Sequence, residues 1–424
     1  MSRILLAIGS FLLAGLFIAP VFAQSNIYLP VVNSGGQTEV VPTPTSTTAT
    51  PSPTRTATPT STPTATATAT ATQTDTPTIT PTFTSTFTPT PTTTPCETLG
   101  GVIAVDTTLT TGCGYDVTSN LTVTRSVTLS MPAGTSLRFG PGVRMVVDGT
   151  LRVAGTEEEP VKFTRNAEKY WGGVHITGKS GSSSSFVHAI FEYGYIGLEA
   201  VDSQPVLSNL TFQYNVIPFQ VYGAANSPLV TLSGGKVISN TEPAGLGRGN
   251  QVITNYYFAE NTSITSDAIL TVCPGSQVLN NTFVNNKLTA IRVLYCLSDS
   301  GTLVKNNVIS GNRGAIRTVQ YSNTVIESND IFNNDQVLIA NFGYSYTRSS
   351  VFADCHTVLT ANNIYSNTAD YAVGGVYGNS CDVDATNNWW GTTDSAEIDA
   401  IILDADDESR VNIIHEPFSL APNP

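Results

Sequence analysis

The feature that most constrains the fold of this 424-residue chain is a short segment, Asn-x-apolar-x-x-Asn, that recurs through its C-terminal half. Four complete copies are Asn281–Asn286, Asn307–Asn312, Asn329–Asn334 and Asn362–Asn367. Weaker copies upstream place these residues at the apolar position: Phe191, Phe212, Val237 and Phe258. Successive copies begin 21 to 33 residues apart. A period of this size fits three strands of about five residues joined by short turns.

This period predicts stacked coils of β-strand. Runs such as Leu121–Thr124 and Val127–Leu129 alternate apolar and polar residues, as strands do. One coil cannot bury its inner face alone, whereas stacked coils can. Parallel strands would then lie about 4.8 Å apart around an apolar interior, with the Asn amides forming a ladder. The predicted fold class is all-β: a right-handed parallel β-helix with a short C-terminal capping helix.

The N-terminal part of the chain is predicted to fold differently from the repeats. Arg3 followed by the apolar run Ile4–Ala19 indicates a signal peptide, the alternative being an uncleaved membrane anchor. The Thr/Pro-rich stretch has too little apolar surface to offset the entropy of ordering, so it is predicted to be a disordered stalk. The segment Ile27–Val32 is either a docking or sorting element or a patch without a role. The predicted domains are 1–23 signal peptide, 24–37 short mature segment, 38–95 disordered linker and 96–424 β-helix.

The charge of the chain limits its partners. The net charge is −13, and all of it belongs to residues 96–424 because the charges before them cancel. An acidic surface argues against nucleic acid and anionic membrane partners. No second apolar stretch is long enough to cross a bilayer, so no membrane insertion is expected after signal removal. The predicted location is secreted or on the cell surface, and the oligomeric state stays open.

Several motifs resemble those of a known superfamily. The Asn-rich repeats are similar to the β-helix repeats of the pectate-lyase-like superfamily. Further motifs that carry the resemblance, in chain order, are Gly140–Val143, Gly149–Leu151, Glu158–Phe163, Trp171–Val174 and the closing Asn387–Gly391. The resemblance implies the fold over about residues 100–424. It does not imply one activity, because the superfamily includes lyases, hydrolases, epimerases, adhesins and inert surface proteins.

The six cysteines test the coil prediction. An even number in a secreted chain indicates disulfides, with buried free thiols as the alternative. Cys273 and Cys296 are 23 residues apart, and Cys355 and Cys381 are 26 apart, which is one coil in each case. Residues stacked in adjacent coils lie within disulfide reach. We therefore predict Cys273–Cys296 and Cys355–Cys381, which leaves Cys96 to pair with Cys113 at the N-terminal end.

The end of the chain is predicted to cap the stack. Asp394 followed by Glu397 forms a capping box, and Ile398, Ile401 and Ile402 follow at helical spacing. We expect this helix and Val411–Phe418 to close the C-terminal end. Two aromatic residues beside them either pack in this cap or bind a ligand: Trp389 and Trp390.

The sequence contains no complete lyase or hydrolase motif, so no catalytic residue is predicted. Resemblance to the lyases of the superfamily implies clustered carboxylates that hold Ca²⁺. The candidate cluster, Asp404, Asp406 and Asp407, could hold that ion, and a solvated loop is the alternative. No other cofactor is predicted.

One irregular gap in the repeat suggests a binding surface. The distance of 33 residues between the copies at Asn329 and Asn362 implies an insertion within Gln336–Thr360. Long loops on a rigid scaffold often carry function, and aromatic faces stack on sugar rings. The ligand-binding candidates are Phe342, Tyr344, Tyr346, Arg348, Tyr371 and Tyr377. The alternative is that these aromatics shield the side of the coil.

These observations lead to three hypotheses for function. The first is a non-catalytic β-helix that acts in adhesion or binds an extracellular polysaccharide or cell-surface glycan. The second is a polysaccharide lyase or glycoside hydrolase that acts on an extracellular glycan. The third is a purely structural component of the cell envelope. Binding and turnover on one panel of polysaccharides distinguish the three.

Overall fold

The computed structural model describes the C-terminal part of the chain. The described residues are 96–181, 183–223, 230–247, 251–294, 300–319, 322–336, 349–375, 381–405 and 411–424. The predicted signal peptide, short segment and stalk, residues 1–95, lie outside the described residues.

Short β-strands make up nearly all the regular structure. The N-terminal strands are β1 (Glu97–Ile103), β2 (Thr107–Thr108), β3 (Gly114–Val123), β4 (Thr128–Pro132), β5 (Ser136–Phe139), β6 (Arg144–Val147), β7 (Thr150–Ala154), β8 (Val161–Arg165) and β9 (Gly173–Thr177). The central strands are β10 (Ser185–Glu192), β11 (Ile196–Val201), β12 (Val206–Gln213), β13 (Ile217–Tyr222), β14 (Val230–Ile238), β15 (Ala244–Leu246), β16 (Gln251–Ala259), β17 (Ala268–Val272), β18 (Gln277–Leu279), β19 (Thr282–Val284) and β20 (Thr289–Val293). The C-terminal strands are β21 (Thr302–Lys305), β22 (Val308–Ser310), β23 (Gly314–Thr318), β24 (Thr324–Glu327), β25 (Asp330–Phe332), β26 (Ser349–Ala353), β27 (Thr357–Thr360), β28 (Asn363–Tyr365), β29 (Tyr371–Gly375), β30 (Cys381–Asp384), β31 (Ile402–Leu403) and β32 (Val411–Ile414). Two short helices are α1 (Gly178–Gly181) and α2 (Ser395–Asp399).

The strands pair in parallel with strands of the next coil and form three sheets. The first sheet consists of β2, β4, β7, the N-terminal halves of β10, β12, β14 and β16, and then β18, β21, β24, β27, β30 and β32. The second sheet consists of the N-terminal halves of β1 and β3, then β5, β8, the C-terminal halves of those same four strands, and then β19, β22, β25 and β28. The third sheet consists of the C-terminal halves of β1 and β3, then β6, β9, β11, β13, β15, β17, β20, β23, β26, β29 and β31. This stack of about ten coils confirms the predicted parallel β-helix.

A column of large apolar side chains fills the interior. Phe258, Phe283 and Ile309 occupy one register position in successive coils of the second sheet, and each is buried. The rings of Phe258 and Phe283 stack with centroids 4.4 Å apart. The apolar position of the repeat therefore points inward in every copy, as the sequence predicts. Stacked, fully buried rings stabilise neighbouring coils through both burial and ring–ring contact.

Two Asn ladders run along the corners of the coil, one on each side of the second sheet. The ladder between the first and second sheets comprises Asn281, Asn307, Asn329, Asn362 and Asn388. The ladder between the second and third sheets comprises Asn215, Asn240, Asn261, Asn286, Asn312, Asn334 and Asn367. In both, the side-chain oxygen of one Asn accepts the backbone N–H of its counterpart in the preceding coil. The predicted Asn ladder is therefore confirmed, and it is double.

Each corner turns through a residue with left-handed backbone. Asn280 and Asn285 precede the two ladder positions of one copy, with φ of 55° and 53°. Asn306 and Asn333 do the same in later copies, with φ of 55° and 54°. Asparagine tolerates this conformation better than most residues because its short side chain bonds locally. This explains why the repeats contain more Asn than the two ladders require.

Disulfides join adjacent coils where the spacing predicts them. Cys96 and Cys113 are bonded with Cα atoms 5.7 Å apart, and Cys355 and Cys381 with Cα atoms 5.6 Å apart. Both bonds confirm the prediction. Cys273 is also disulfide-bonded, whereas Cys296, its predicted partner, lies outside the described residues.

The C-terminal end is capped largely as predicted. Asp394 caps α2, and its Oδ1 accepts the backbone N–H groups of Ala396 and Glu397 at 2.9 and 3.3 Å. Glu397 accepts the Thr392 hydroxyl instead of returning to Asp394, so the capping box is only half formed. Ile398 of the helix is fully buried.

The predicted C-terminal helix, which was expected to include Ile401 and Ile402, is too long. In the structure α2 ends at Asp399, and Ile402 begins β31, which pairs with β29. Pairing with the sheet overrides the helical spacing of the isoleucines. Val411–Ile414 extends the first sheet as β32, so part of the predicted plug is a further strand. Within the described ranges, no helix is long and apolar enough to span a membrane.

Candidate functional site

The outer surface of the third sheet gathers polar and charged side chains on consecutive coils. Side chains alternate across a strand, and Leu198, Leu270 and Ile291 point into the core. The neighbouring position therefore points outward. In order along the stack it is occupied by His175, Glu199, Gln220, Gly245, Thr271, Arg292, Arg317 and Phe352. We call this series the outer column.

Two arginines of the outer column share one carboxylate. Arg292 and Arg317 are paired in register on β20 and β23, and each bonds a different oxygen of Asp267. Arg292 Nη2 also donates to Thr271 Oγ1 at 3.3 Å. Asp267 is 6% exposed, whereas the arginine side chains are 22% and 15% exposed. Two guanidinium charges thus face one carboxylate, and the cluster keeps one net positive charge in a chain whose net charge is −13.

Burial dominates the electrostatics of the arginine cluster. It lowers the pKa of the Arg317 guanidinium, while the nearby Asp267 carboxylate opposes that effect. The Nε atoms of Arg292 and Arg317 are buried and have no hydrogen-bond partner among the described residues. Guanidinium groups bind carboxylate, sulfate and phosphate oxygens with paired hydrogen bonds. The buried Nε atoms cannot reach an external ligand, but the partly exposed guanidinium side chains and their net positive charge can hold an anionic group.

A second polar cluster lies on the same surface, nearer the N-terminal end. His175 Nδ1 lies 2.6 Å from Glu199 Oε2, and His175 Nε2 lies 3.2 Å from the Gly172 carbonyl oxygen. Both hydrogen bonds form together only when the imidazole carries both protons. Burial, with Glu199 as the smaller cause, raises the pKa of Tyr222 to about 12. Glu199 thus pairs with His175 and lies close to Tyr222 at this end of the outer column.

The two clusters are separated along the axis of the stack. Arg292 lies four strand spacings from Glu199, which corresponds to about 19 Å at the usual spacing. Gln220, Gly245 and Thr271 occupy the three coils between them, and Gln220 and Thr271 are only 3% and 6% exposed. The charged clusters at the two ends are therefore the more accessible parts of the outer column.

Five of the six ligand-binding candidates predicted from the sequence lie outside the described residues: Phe342, Tyr344, Tyr346, Arg348 and Tyr377. Tyr371, the sixth candidate, is half-buried at the start of β29, where it pairs with Ser349 of the preceding coil.

The suggested Ca²⁺ cluster is described in part. Asp404 follows β31 and is partly exposed, whereas Asp406 and Asp407 lie outside the described residues. Among the residues that are described, no group of three or more His, Cys, Asp or Glu side chains could hold a metal ion.

A pocket of about 460 Å³ lies at the C-terminal end of the second sheet. It is lined by Tyr365, Ser366, Trp389, Trp390, Gly391, Thr392, Glu397 and Ile401. Trp390 is 2% exposed and belongs to the core, as its predicted packing role requires. Trp389 is half-buried and contributes to the wall of the pocket.

The coils, the paired Asn corners and the interior apolar column define a parallel β-helix repeat protein. Residues 101–228 match the family model described as a pectate-lyase like beta helix domain. The chain therefore contains a pectate-lyase-like β-helix, in agreement with the resemblance of its motifs.

Other comparisons add little to this assignment. A solved complex of alginate lyase AlyF-OU02 with G6 has a TM-score of 0.47 and 11% sequence identity. The similarity covers 76% of this chain and 80% of that one. No curated protein matches the sequence. At these values no activity or ligand is transferred to this chain.

Proposed function

We propose that this protein is an extracellular β-helix that binds an acidic polysaccharide along its outer column. The observation that carries the proposal is the pair Arg292 and Arg317 around Asp267, which keeps one net positive charge and is partly exposed. A uronate carboxylate or a sulfate group would bind at the exposed part of these guanidinium groups. Adhesion or retention at a surface follows from such binding.

The shape of the third sheet supports a polymer rather than a small ligand. Outward positions repeat about every 4.8 Å along the stack, so successive coils can contact successive parts of one chain. Gln220 and Thr271, which lie between the charged clusters, are only 3% and 6% exposed, so the contacts would come mainly from the charged clusters at the two ends.

An extracellular location is part of the proposal. The disulfides Cys96–Cys113 and Cys355–Cys381 fit an oxidising compartment. The predicted N-terminal signal peptide and the predicted Thr/Pro-rich stalk support export and display away from a surface.

The test is binding of the mature protein to a panel of polyuronates, sulfated polysaccharides and neutral polysaccharides at two salt concentrations. We expect binding to at least one acidic polymer, weakened at least about tenfold by Arg317→Gln. Loss of a hydrogen-bonded charge typically costs about 1.5–3 kcal/mol, and 1.4 kcal/mol is tenfold. In this variant Asp267 keeps Arg292 as its partner, so the fold should survive.

Arg313→Gln is the matched control because it changes the net charge equally from an exposed position just before β23. Equal weakening by both variants would mean unspecific attraction and would refute the proposed site. Binding to no acidic polymer would leave a structural role. Release of unsaturated or reducing-end products would replace binding with lyase or hydrolase activity.

A further inference from the structure

The C-terminal pocket is lined by the aromatic ring of Tyr365, which stacks on Phe332. Phe332 and Tyr365 occupy one outward position of the second sheet in successive coils, and their rings stack 5.2 Å apart at 9°. Phe332 therefore covers one face of Tyr365. The next residue along this column is Gly391, where an added Cβ would lie 2.9 Å from Tyr365 Cβ.

Gly391 lies beside the Cα and Cβ atoms of Tyr365 and adds no side chain there, and both residues line the pocket. Gly391 has φ of 85°, a conformation that side chains rarely adopt, so the backbone itself selects glycine here. The bridge between Asn363 and Trp389 sets the register that brings Gly391 beside Tyr365. Two aromatic side chains, Tyr365 and Trp389, therefore line the pocket.

The pocket also offers hydrogen-bonding groups. Ser366, Thr392 and Glu397 line it, and the Thr392 hydroxyl donates to Glu397 Oε2 at 2.6 Å. The indole N–H of Trp390 is buried, so the hydrogen-bonding groups available to a ligand are those of Ser366, Thr392 and Glu397.

The charges around the pocket select against anionic ligands. Glu397 lines it, and none of the described lining residues is basic. Asp330 lies close enough to Tyr365 to raise the pKa of its phenol, although burial is the larger cause. A carboxylate or sulfate would be repelled here, whereas a neutral hydroxyl can donate to the Glu397 carboxylate.

We propose that this pocket is a second carbohydrate site, separate from the outer column, which binds one ring of a neutral sugar against Tyr365. The apolar face of the sugar ring stacks on the phenol ring. Its hydroxyls bond Glu397 and the neighbouring polar groups. A volume of about 460 Å³ is within the usual range of ligand pockets, about 300–1,000 Å³.

Intrinsic fluorescence provides the readout. The chain has three tryptophans, of which Trp171 is fully buried away from the pocket and the other two line it. The mature protein is titrated with neutral gluco-, galacto-, manno- and xylo-oligosaccharides, and with an oligogalacturonide as the anionic comparison. We expect a saturable change with at least one neutral oligosaccharide and weaker binding of the oligogalacturonide.

Two substitutions of the same residue separate stacking from folding. Tyr365→Ala should weaken binding at least about tenfold, whereas Tyr365→Phe keeps the ring and should bind within about twofold of the wild type. Glu397→Gln should narrow the preference for neutral over anionic oligosaccharides. Arg317→Gln, which tests the outer column, should leave this titration unchanged.

The proposal is overturned if no neutral oligosaccharide gives a saturable change, or if Tyr365→Ala binds like the wild type. If thermal melting shows that Tyr365→Ala is unfolded, Glu397→Arg replaces it, because Glu397 is exposed on α2 and a long cation there would fill the pocket. Unchanged neutral binding by Glu397→Arg would equally refute the site.

Discussion

Replacement of Asn307 by alanine tests how strongly the ladders hold neighbouring coils together. Asn307 is 1% exposed at the corner between the first and second sheets. Its Oδ1 accepts the backbone N–H of Asn281 at 2.9 Å and the side-chain amide of Asn281 at 3.1 Å. Its Nδ2 donates to the Val278 carbonyl and to Asn329 Oδ1, both at 2.9 Å.

The size of the effect follows from the groups left without a partner. In Asn307→Ala the Asn281 backbone N–H and one hydrogen of its amide lose this acceptor, and Asn281 is itself 1% exposed. An unmade buried hydrogen bond costs about 1–3 kcal/mol, so two cost about 2–6 kcal/mol. We expect the free energy of unfolding to fall by about 4 kcal/mol.

The neighbouring residue supplies the control. Asn306 is exposed and has φ of 55°, which glycine adopts freely, so Asn306→Gly should change stability by less than about 1 kcal/mol. Urea unfolding of the mature protein, followed by circular dichroism with disulfides intact, measures both variants. Because repeat proteins can unfold in parts, hydrogen exchange at the Asn281 amide gives a local readout. Equal stability of the two variants, with unchanged exchange at Asn281, would refute the reasoning.

Two further predictions concern the disulfide and the alkaline limit of stability. Replacing Cys355 and Cys381 by serine should lower the free energy of unfolding by about 3 kcal/mol, because the bond closes a loop across 26 residues; urea unfolding equal to that of the oxidised wild type would contradict this. The pKa of Tyr222 is raised from 10.0 to about 12, so the unfolded chain loses this proton first. The stability from keeping Tyr222 protonated is present below pH 10 and is lost as the pH rises to about 12. We expect Tyr222→Phe to flatten the decline of stability in this interval, and an unchanged slope in alkaline unfolding curves would show that the shift is absent.

The repeat predicted the stacking because one constraint acts in every coil. Phe283 and Ile309 were expected to share an environment from their place between two asparagines, and they pair in register in the core.

The structure of the C-terminal cap was less predictable from the sequence. Isoleucines at helical spacing also fit a short strand, and the pairing of Val373 with Ile402 ends the helix early. Local spacing cannot reveal that competition, because the partner strand is distant in the sequence.

The sequence does not reveal the arginine cluster. Arg292 follows the ladder residue Asn286 by six positions, whereas Arg317 follows Asn312 by five. Alignment of the copies on their asparagines would therefore place the two arginines on opposite faces of a strand, and the register of β20 and β23 is what brings them to one surface. The contact with Asp267 reaches across two coils to Arg317, and no pattern within a single copy predicts it. The pocket at Tyr365 depends on a missing side chain at Gly391, which a search for reactive residues overlooks.

The asparagine pairs impose an asymmetry on how this scaffold can vary. Within each complete copy the two ladder residues are five positions apart, whereas the hydrogen bonds to the next copy span 26, 22 or 33 residues in both ladders alike. Every difference in length is therefore confined to the part of the coil that neither ladder crosses. Insertions lengthen that part of the coil and leave the five-residue segment between the two ladder residues unchanged. A loop can therefore be inserted into one coil without altering how the neighbouring coils stack.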